Sequence, residues 1–179
     1  MEPAAFLDRD GVVNRDIGYL HRPEDVEFIR GIFEVVAGLR ARGYRPVVVT
    51  NQSGIARGFY TEGDFNALMD WMRARFAEAG APLDAVYYCP HHPEDGEPPY
   101  RRNCECRKPA PGMLQQAARE LDLDLSRSLL IGDSERDIEA GRAAGVARTF
   151  LLAPASTTSS AADHVVTRLS DIEDILAGH

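Results

Sequence analysis

Short apolar, β-branched runs alternate along the chain with segments of helical periodicity. The strands predicted from this pattern are residues 4–8, 45–50, 85–89, 128–133 and 147–152, with a weaker sixth candidate at 165–169. The predicted helices are residues 31–43, 62–80, 111–123, 134–145 and 170–178. Glycines stand where three of these helices would end and a proline stands where one would begin, which supports the boundaries.

The apolar strands do not alternate cleanly between apolar and polar residues, which indicates that both faces of the sheet are covered. Strands that alternate with helices predict an α/β fold with a doubly wound, mostly parallel sheet. Residues 153–163 are small and polar and are expected to form a mobile loop. Residues 11–30 lack strong periodicity and are expected to cover another part of the fold.

The composition narrows the class of protein. A chain of 179 residues with 44% hydrophobic residues is long enough for one domain, residues 1–179, with a full core. Its net charge of −8 gives no overall attraction to nucleic acid or to acidic membranes. The apolar runs fall well short of the roughly 20 residues of a membrane span, and the N-terminus lacks a signal segment. We therefore expect a cytoplasmic protein.

Polar residues follow several of the predicted strands at the point where each strand ends. Ligands of open α/β sheets bind at this edge, so these side chains should converge. Clustered carboxylates need a cation between them, and hard oxygen ligands suit Mg²⁺. With a lysine and a hydroxyl for phosphate oxygens, the set indicates phosphoryl transfer to an aspartate. The residues are Asp8, Asp10, Thr50, Asn51, Lys108, Asp133 and Asp137.

Each of these pieces also has an ordinary explanation. A D-x-D pair is most often a turn, a strand-terminal threonine is usually a helix cap, and a Lys-Pro before a helix is usually surface. Asp133 and Asp137 could mark a helix start, where acids are favoured, and Asp137 could simply brace its loop. The arrival of all of them in order at strand ends is what favours a site.

Four segments together resemble the haloacid-dehalogenase-like (HAD-like) phosphatases: FLDRDGVVN (6–14), VVVTNQSGIARG (47–58), CRKPAPGM (106–113) and IGDSERD (131–137). The resemblance covers nearly the whole chain and is closest to the D-glycero-D-manno-heptose 1,7-bisphosphate phosphatases. It implies a Mg²⁺-dependent enzyme that removes the 7-phosphate through an aspartyl-phosphate, during synthesis of nucleotide-activated heptose for envelope polysaccharides such as lipopolysaccharide. Near relatives of that subgroup are histidinol-phosphate phosphatases.

The resemblance also implies a role for individual residues. Asp8 is the expected nucleophile and Asp10 the general acid and base, while Thr50 and Lys108 hold the phosphate. Mg²⁺ is expected on Asp8, Asp133 and the backbone carbonyl of Asp10. The substrate site is expected to be lined by Asp16, Ile17, Gly18, Tyr19, Asn51, Gln52 and Ser53, with Ser134 in contact with it.

All three cysteines lie between residues 89 and 106. A reducing compartment and an odd count argue against a disulfide framework. The resemblance implies a structural zinc on Cys89, His91, Cys104 and Cys106, and three thiolates with one imidazole are a usual zinc set. His92 competes for the histidine position, and His91 is chosen by resemblance. The metal would fold a polar, proline-rich loop and orient Arg107 and Lys108.

Little chain remains between the motifs, so no separate cap domain is expected. Selectivity for a phosphorylated sugar would then come from loops, with Arg57 and Arg107 as the expected cations for the sugar or its second phosphate. A solvated surface position is the alternative for both arginines. A histidinol-phosphate phosphatase and a non-catalytic, zinc-stabilised binding module remain competing interpretations, a dehalogenase is disfavoured, and a monomer is expected.

Overall fold

The computed structural model describes residues 1–178, in which six parallel strands form one sheet. The strands are β1 (Ala4–Leu7), β2 (Arg45–Asn51), β3 (Ala85–Cys89), β4 (Leu129–Gly132), β5 (Arg148–Leu152) and β6 (His164–Val166). Their order across the sheet is β3-β2-β1-β4-β5-β6, and every neighbouring pair is parallel. The predicted parallel α/β sheet is confirmed.

Among residues 1–178, four α-helices connect strands and a fifth follows β6, and each lies within a predicted helical segment. They are α1 (Ile32–Ala41), α2 (Glu62–Glu78), α3 (Gly112–Leu121), α4 (Glu135–Ala144) and α5 (Ser170–Ala177). β6 begins one residue earlier than the predicted sixth strand, residues 165–169, and ends three residues earlier than that prediction. The reason is that Leu169, with φ −61° and ψ −34°, already has helical backbone geometry at the start of α5.

Helices cover both faces of the sheet because successive strand residues point to opposite sides. In β1, Ala5 and Leu7 pack with residues of α1, α2 and α5, whereas Ala4 and Phe6 pack with residues of α3 and α4. All four side chains are fully buried. This two-sided burial explains why the strand sequences lack alternation.

The strand order reverses between β1 and β4. The chain moves from β1 to β2 and β3 in one direction across the sheet, and from β4 to β5 and β6 in the other. The crevice at such a reversal is where doubly wound folds bind ligands. Asp8 follows β1 and Asp133 follows β4, so these two carboxylates come from the two strands that flank the reversal.

No helix among residues 1–178 has the length and apolar character that a membrane span requires.

Candidate active site

Lys108 connects Asp8, which follows β1, with Asp137 in α4. Its side chain is 3% exposed, and its ammonium group donates to Asp8 Oδ1 at 2.8 Å and to the backbone carbonyl of Val49 at 2.8 Å. It also pairs with Asp137 Oδ1 at 2.6 Å. An ammonium has three N–H donors, and these three acceptors use all of them. A phosphate oxygen can therefore reach Lys108 only by replacing or sharing one of these acceptors.

Charge and burial set the protonation of this triad. Burial raises the pKa of Asp8 well above its usual value, and the Lys108 charge opposes that rise. Burial would also raise the pKa of Asp137, but the Lys108 ammonium and the hydrogen bonds from Asp133 and Ser134 together outweigh it, so that pKa is lowered. Burial acts to lower the pKa of Lys108, and the charges of Asp8 and Asp137 more than offset it. Lys108 therefore remains charged.

Asp137 fixes the loop that follows β4. Its Oδ2 accepts from the backbone N–H of Asp133 at 3.1 Å, and from the backbone N–H and hydroxyl of Ser134 at 3.2 and 3.1 Å. These bonds form a capping box at the start of α4. Both Asp137 oxygens are thus engaged, which makes Asp137 a bracing residue.

The Asp133 carboxyl lies against Gly11 at the edge of the cavity. A Cβ atom at Gly11 would come within 2.0 Å of Asp133 Oδ2, and the φ of +94° at Gly11 also favours glycine. Partial burial of the carboxyl group raises the pKa of Asp133 to about 6, although the residue is still exposed to the cavity. Any side chain at residue 11 would displace this carboxylate.

Asp10 is held by four donor groups around its carboxylate. Arg9 binds it through Nε at 3.2 Å and through Nη2 at 3.0 and 3.1 Å. Asn14 Nδ2 and Gln52 Nε2 donate to it at 3.0 and 3.1 Å. Gln52 is itself fixed, because Tyr60 donates to its Oε1 and its Nε2 also contacts Thr50 Oγ1 at 2.8 Å.

These groups surround a cavity of about 380 Å³ at the carboxyl edge of the sheet. The structure brings twelve of the residues singled out from the sequence into its lining. They are Asp8, Asp10, Asp16, Gly18, Tyr19, Asn51, Gln52, Ser53, Lys108, Asp133, Ser134 and Asp137. Thr50, buried behind the lining, reaches the site through Gln52.

Three other expected residues lie outside the lining. Ile17 is exposed. Arg57 forms an ion pair with Asp95 at 2.8 Å, and its guanidinium lies 5.9 Å from the centre of the Tyr19 ring. Arg107 donates to the backbone carbonyl of His91 at 3.4 Å. Both arginines are engaged with protein groups next to the cavity.

The structure adds residues that sequence reasoning did not assign to the site. Gly54, Tyr60 and Arg136 also line the cavity. Arg9 is completely buried beneath it and also donates to the carbonyl of Leu20 at 3.0 Å. Position in the motifs was the available signal, since Arg9 lies between the two aspartates and Arg136 directly precedes Asp137.

The carboxylates of the site suit Mg²⁺. Asp8, Asp133 and Asp137 each place an oxygen within 4.8 Å of the others. Asp137 is occupied by Lys108 and by backbone donors, so Asp8 and Asp133 are the residues that can hold a cation. Hard oxygen donors at the edge of the cavity fit Mg²⁺, which usually takes one or two carboxylates and keeps waters.

The cysteine loop forms a second, separate cluster. Cys89, His91, Cys104 and Cys106 place their ligand atoms within 4.8 Å of one another. The sulfur–sulfur distances are 2.9, 3.4 and 3.5 Å, and His91 Nδ1 lies 3.3 Å from the Cys106 sulfur. Tetrahedral zinc with bonds of about 2.3 Å needs sulfurs about 3.8 Å apart, so the set fits zinc after a small expansion. The alternative ligand, His92, instead accepts at Nδ1 from the backbone N–H groups of Glu94 and Asp95.

This loop is tied to both the helical layer and the site. Tyr88, in β3, and Tyr100, in the loop, each donate to Glu62 at 2.6 Å, at the start of α2. The Asn51 side chain binds the backbone of Lys108, accepting from its N–H at 3.0 Å and donating to its carbonyl at 3.1 Å. Lys108 is two residues beyond Cys106, so a folded loop places it.

Comparisons with known proteins identify the family of this chain. The family model for HAD-hydrolase-like proteins matches residues 105–176. The D-glycero-alpha-D-manno-heptose-1,7-bisphosphate 7-phosphatase of Burkholderia mallei is 50% identical over 98% of this chain and 94% of its own length. The D-glycero-beta-D-manno-heptose-1,7-bisphosphate 7-phosphatase of Photorhabdus laumondii is 44% identical over 98% and 96%.

A solved structure shows the same architecture. The D,D-heptose 1,7-bisphosphate phosphatase of B. bronchiseptica, complexed with magnesium and phosphate, superposes with a TM-score of 0.82 at 34% identity. The match covers 98% of each chain. On sequence and fold, the chain belongs to the heptose 1,7-bisphosphate 7-phosphatase family of HAD-like phosphatases.

Proposed function

We propose that this protein hydrolyses the 7-phosphate of D-glycero-D-manno-heptose 1,7-bisphosphate through an aspartyl-phosphate on Asp8. The convergence of Asp8, Asp133 and Lys108 at the reversal of the sheet carries the proposal. The full-length similarity to relatives that bear this activity in their names supports the substrate. The product, which keeps its 1-phosphate, would supply the synthesis of nucleotide-activated heptose.

Asp8 supplies the nucleophile. A carboxylate oxygen of Asp8 attacks the phosphorus at C7, and the bond between that phosphorus and the C7 oxygen breaks. Lys108 contributes positive charge beside Asp8, and Thr50 offers its hydroxyl at the end of the neighbouring strand. When bound to Asp8, Asp133 and the Asp10 carbonyl, Mg²⁺ would neutralise the carboxylates and the charge of the phosphoryl group.

Asp10 moves the proton. Its carboxyl group gives a proton to the departing C7 oxygen, which leaves as the sugar alcohol. The resulting carboxylate then takes a proton from water as that water attacks the phosphorus of the aspartyl-phosphate. Inorganic phosphate leaves and the Asp8 carboxylate is restored. Arg9, Asn14 and Gln52 hold Asp10 in place between these two steps.

Zinc has a structural role in this proposal. Cys89, His91, Cys104 and Cys106 would fill its coordination, which leaves no open position for a substrate. The metal would hold the loop from which Arg107 and Lys108 project.

Phosphate release from a panel of compounds tests the proposal. The panel contains both C1 anomers of the heptose bisphosphate, because the relatives are named for different anomers. It also contains histidinol phosphate, whose cationic amine and imidazole should be repelled by the arginines near the cavity. We expect kcat/KM for a heptose bisphosphate anomer to exceed that for histidinol phosphate. Equal or reversed values would overturn the substrate assignment.

A further inference from the structure

Three arginines lie in or next to the cavity, and they differ in what their guanidinium groups contact. Arg57 is paired with Asp95 at 2.8 Å, and Arg107 donates to the carbonyl of His91 at 3.4 Å. Neither of them lines the cavity. Arg136 lines it, is exposed, and makes no ion pair or side-chain hydrogen bond with any part of residues 1–178.

The backbone that carries Arg136 is nonetheless fixed. Arg136 is the second residue of α4, directly before the buried Asp137. Asp137 is locked by Lys108 on one side and by the Ser134 capping box on the other. The α-carbon of Arg136 therefore has a defined position relative to Asp8 and Asp133, and only its long side chain is free to adjust.

The charges that line the cavity do not suit a doubly phosphorylated ligand without Arg136. Five aspartates line it: Asp8, Asp10, Asp16, Asp133 and Asp137. Each phosphate of the substrate adds about −1.5 to −2 charges near neutral pH. Lys108 has all three donors engaged, and Mg²⁺ would serve the phosphate that reacts. Among residues 1–178, Arg136 is the remaining cation of the lining, and its donors are free.

We propose that Arg136 binds the C1 phosphate, the one that is not hydrolysed, and so sets the preference for a bisphosphate over a monophosphate. This inference rests on the proposed function. Arginine is suited to the task because its planar fork can donate two parallel hydrogen bonds to one phosphate. An unpaired guanidinium at the cavity also needs to break no protein contact before it binds.

The experiment compares kcat/KM for D-glycero-D-manno-heptose 1,7-bisphosphate with kcat/KM for the same heptose carrying only the 7-phosphate. We expect the wild type to prefer the bisphosphate. Arg136→Gln should lower kcat/KM on the bisphosphate by about 10- to 100-fold, mostly through KM, because a charge-assisted hydrogen bond is lost. Its kcat/KM on the monophosphate should change by less than about threefold, and Arg136→Lys should fall between the two proteins.

Arg127→Gln is the matched control. Arg127 is exposed at the opposite end of β4, so its substitution changes the net charge equally without touching the cavity. It should leave the preference unchanged. Arg57→Gln is measured alongside, because Arg57 is the arginine expected from the sequence to meet the second phosphate.

The deciding quantity is the preference ratio, which is kcat/KM for the bisphosphate divided by kcat/KM for the 7-monophosphate. A fall of about fivefold or more in Arg136→Gln supports the inference, and a smaller fall overturns it. Equal losses on both substrates would show that Arg136 serves the reacting phosphate instead, and a wild type with no preference would also overturn the inference. A wild type that hydrolyses neither compound would refute the proposed function itself.

Discussion

Lys108 and Asp8, 100 residues apart in the chain, meet at 2.8 Å with both side chains largely buried. The same ammonium holds Asp137, so one cation stabilises two buried carboxylates. Substitution of Lys108 should therefore affect both stability and turnover, whereas substitution of the nucleophile should affect turnover first.

Lys108→Met should lower the free energy of unfolding by about 3–5 kcal/mol, because it leaves buried carboxylates without their partner. Activity should be lost as well. The double variant Lys108→Met/Asp137→Asn should regain part of the stability, since one buried charge is removed, yet remain inactive. Denaturant unfolding and phosphate release are the measurements. A double variant no more stable than the single one would contradict this account.

Asp8→Asn should abolish turnover and leave the fold intact, because a carboxamide cannot form the aspartyl-phosphate. Asp10→Asn should reduce kcat by about 10²–10⁴-fold, which is the usual contribution of acid and base catalysis. Circular dichroism checks the fold, and mass spectrometry excludes deamidation of the new asparagine. Near-normal turnover by Asp8→Asn would reject the covalent mechanism.

Stabilisation by Mg²⁺ should depend on pH through Asp133. Its pKa is raised to about 6 in the protein without metal, so it is mostly protonated at pH 5 and ionised at pH 7.5. Because its pKa is raised, Asp133 contributes to the stability of the metal-free fold at low pH, and this contribution is lost as the pH rises through about 6. Mg²⁺ binds the ionised form. Added Mg²⁺ should raise the melting temperature clearly at pH 7.5 and little at pH 5.

The control for this pH effect is Asp133→Asn, which should remove the Mg²⁺ response at both pH values. Melting is followed by calorimetry, with Mg²⁺ omitted by dialysis so that any zinc is left in place. An equal rise in melting temperature at both pH values would contradict the assignment to Asp133.

The two neighbouring histidines of the cysteine loop should differ in their effect on zinc. His91 lies 3.3 Å from the Cys106 sulfur, whereas His92 Nδ1 accepts from backbone N–H groups. The wild type and His92→Ala should each contain about one zinc per chain, and His91→Ala should lose most of it. Elemental analysis and thiol titration measure this. Zinc retained by His91→Ala but lost by His92→Ala would reverse the ligand assignment.

Tyr60→Phe tests the support of Asp10. Burial raises the pKa of Tyr60 to about 12, so its hydroxyl stays protonated and donates to Gln52 across the working pH range. Its loss leaves the buried Gln52 Oε1 without a donor, at a cost of about 1–3 kcal/mol in stability. We expect a reduced kcat and a shifted pH profile, with KM little changed. An unchanged profile would show that Gln52 does not need Tyr60 to hold Asp10.

The sequence alone determined the elements and the edge of the sheet at which chemistry occurs. Strand-terminal residues such as Asp8 and Asp133 point to one edge because parallel strands share a direction, whatever their order. Residue types indicated a zinc site within residues 89–106, and the family resemblance selected His91 over His92; the structure brings Cys89, His91, Cys104 and Cys106 together. Local pattern suffices where the relevant neighbours are near in sequence or constrained by strand direction.

Only the tertiary structure decided which polar groups are paired and which are free. Strand order placed β1 beside β4. Packing buried the Arg9 side chain completely and set it against Asp10, which the sequence did not predict. The sequence pointed to Arg57 and did not single out Arg136, yet Asp95 pairs with Arg57 and Arg136 lines the cavity. The availability of a charge depends on partners brought from distant segments, and these become neighbours only when the sheet and its loops are assembled.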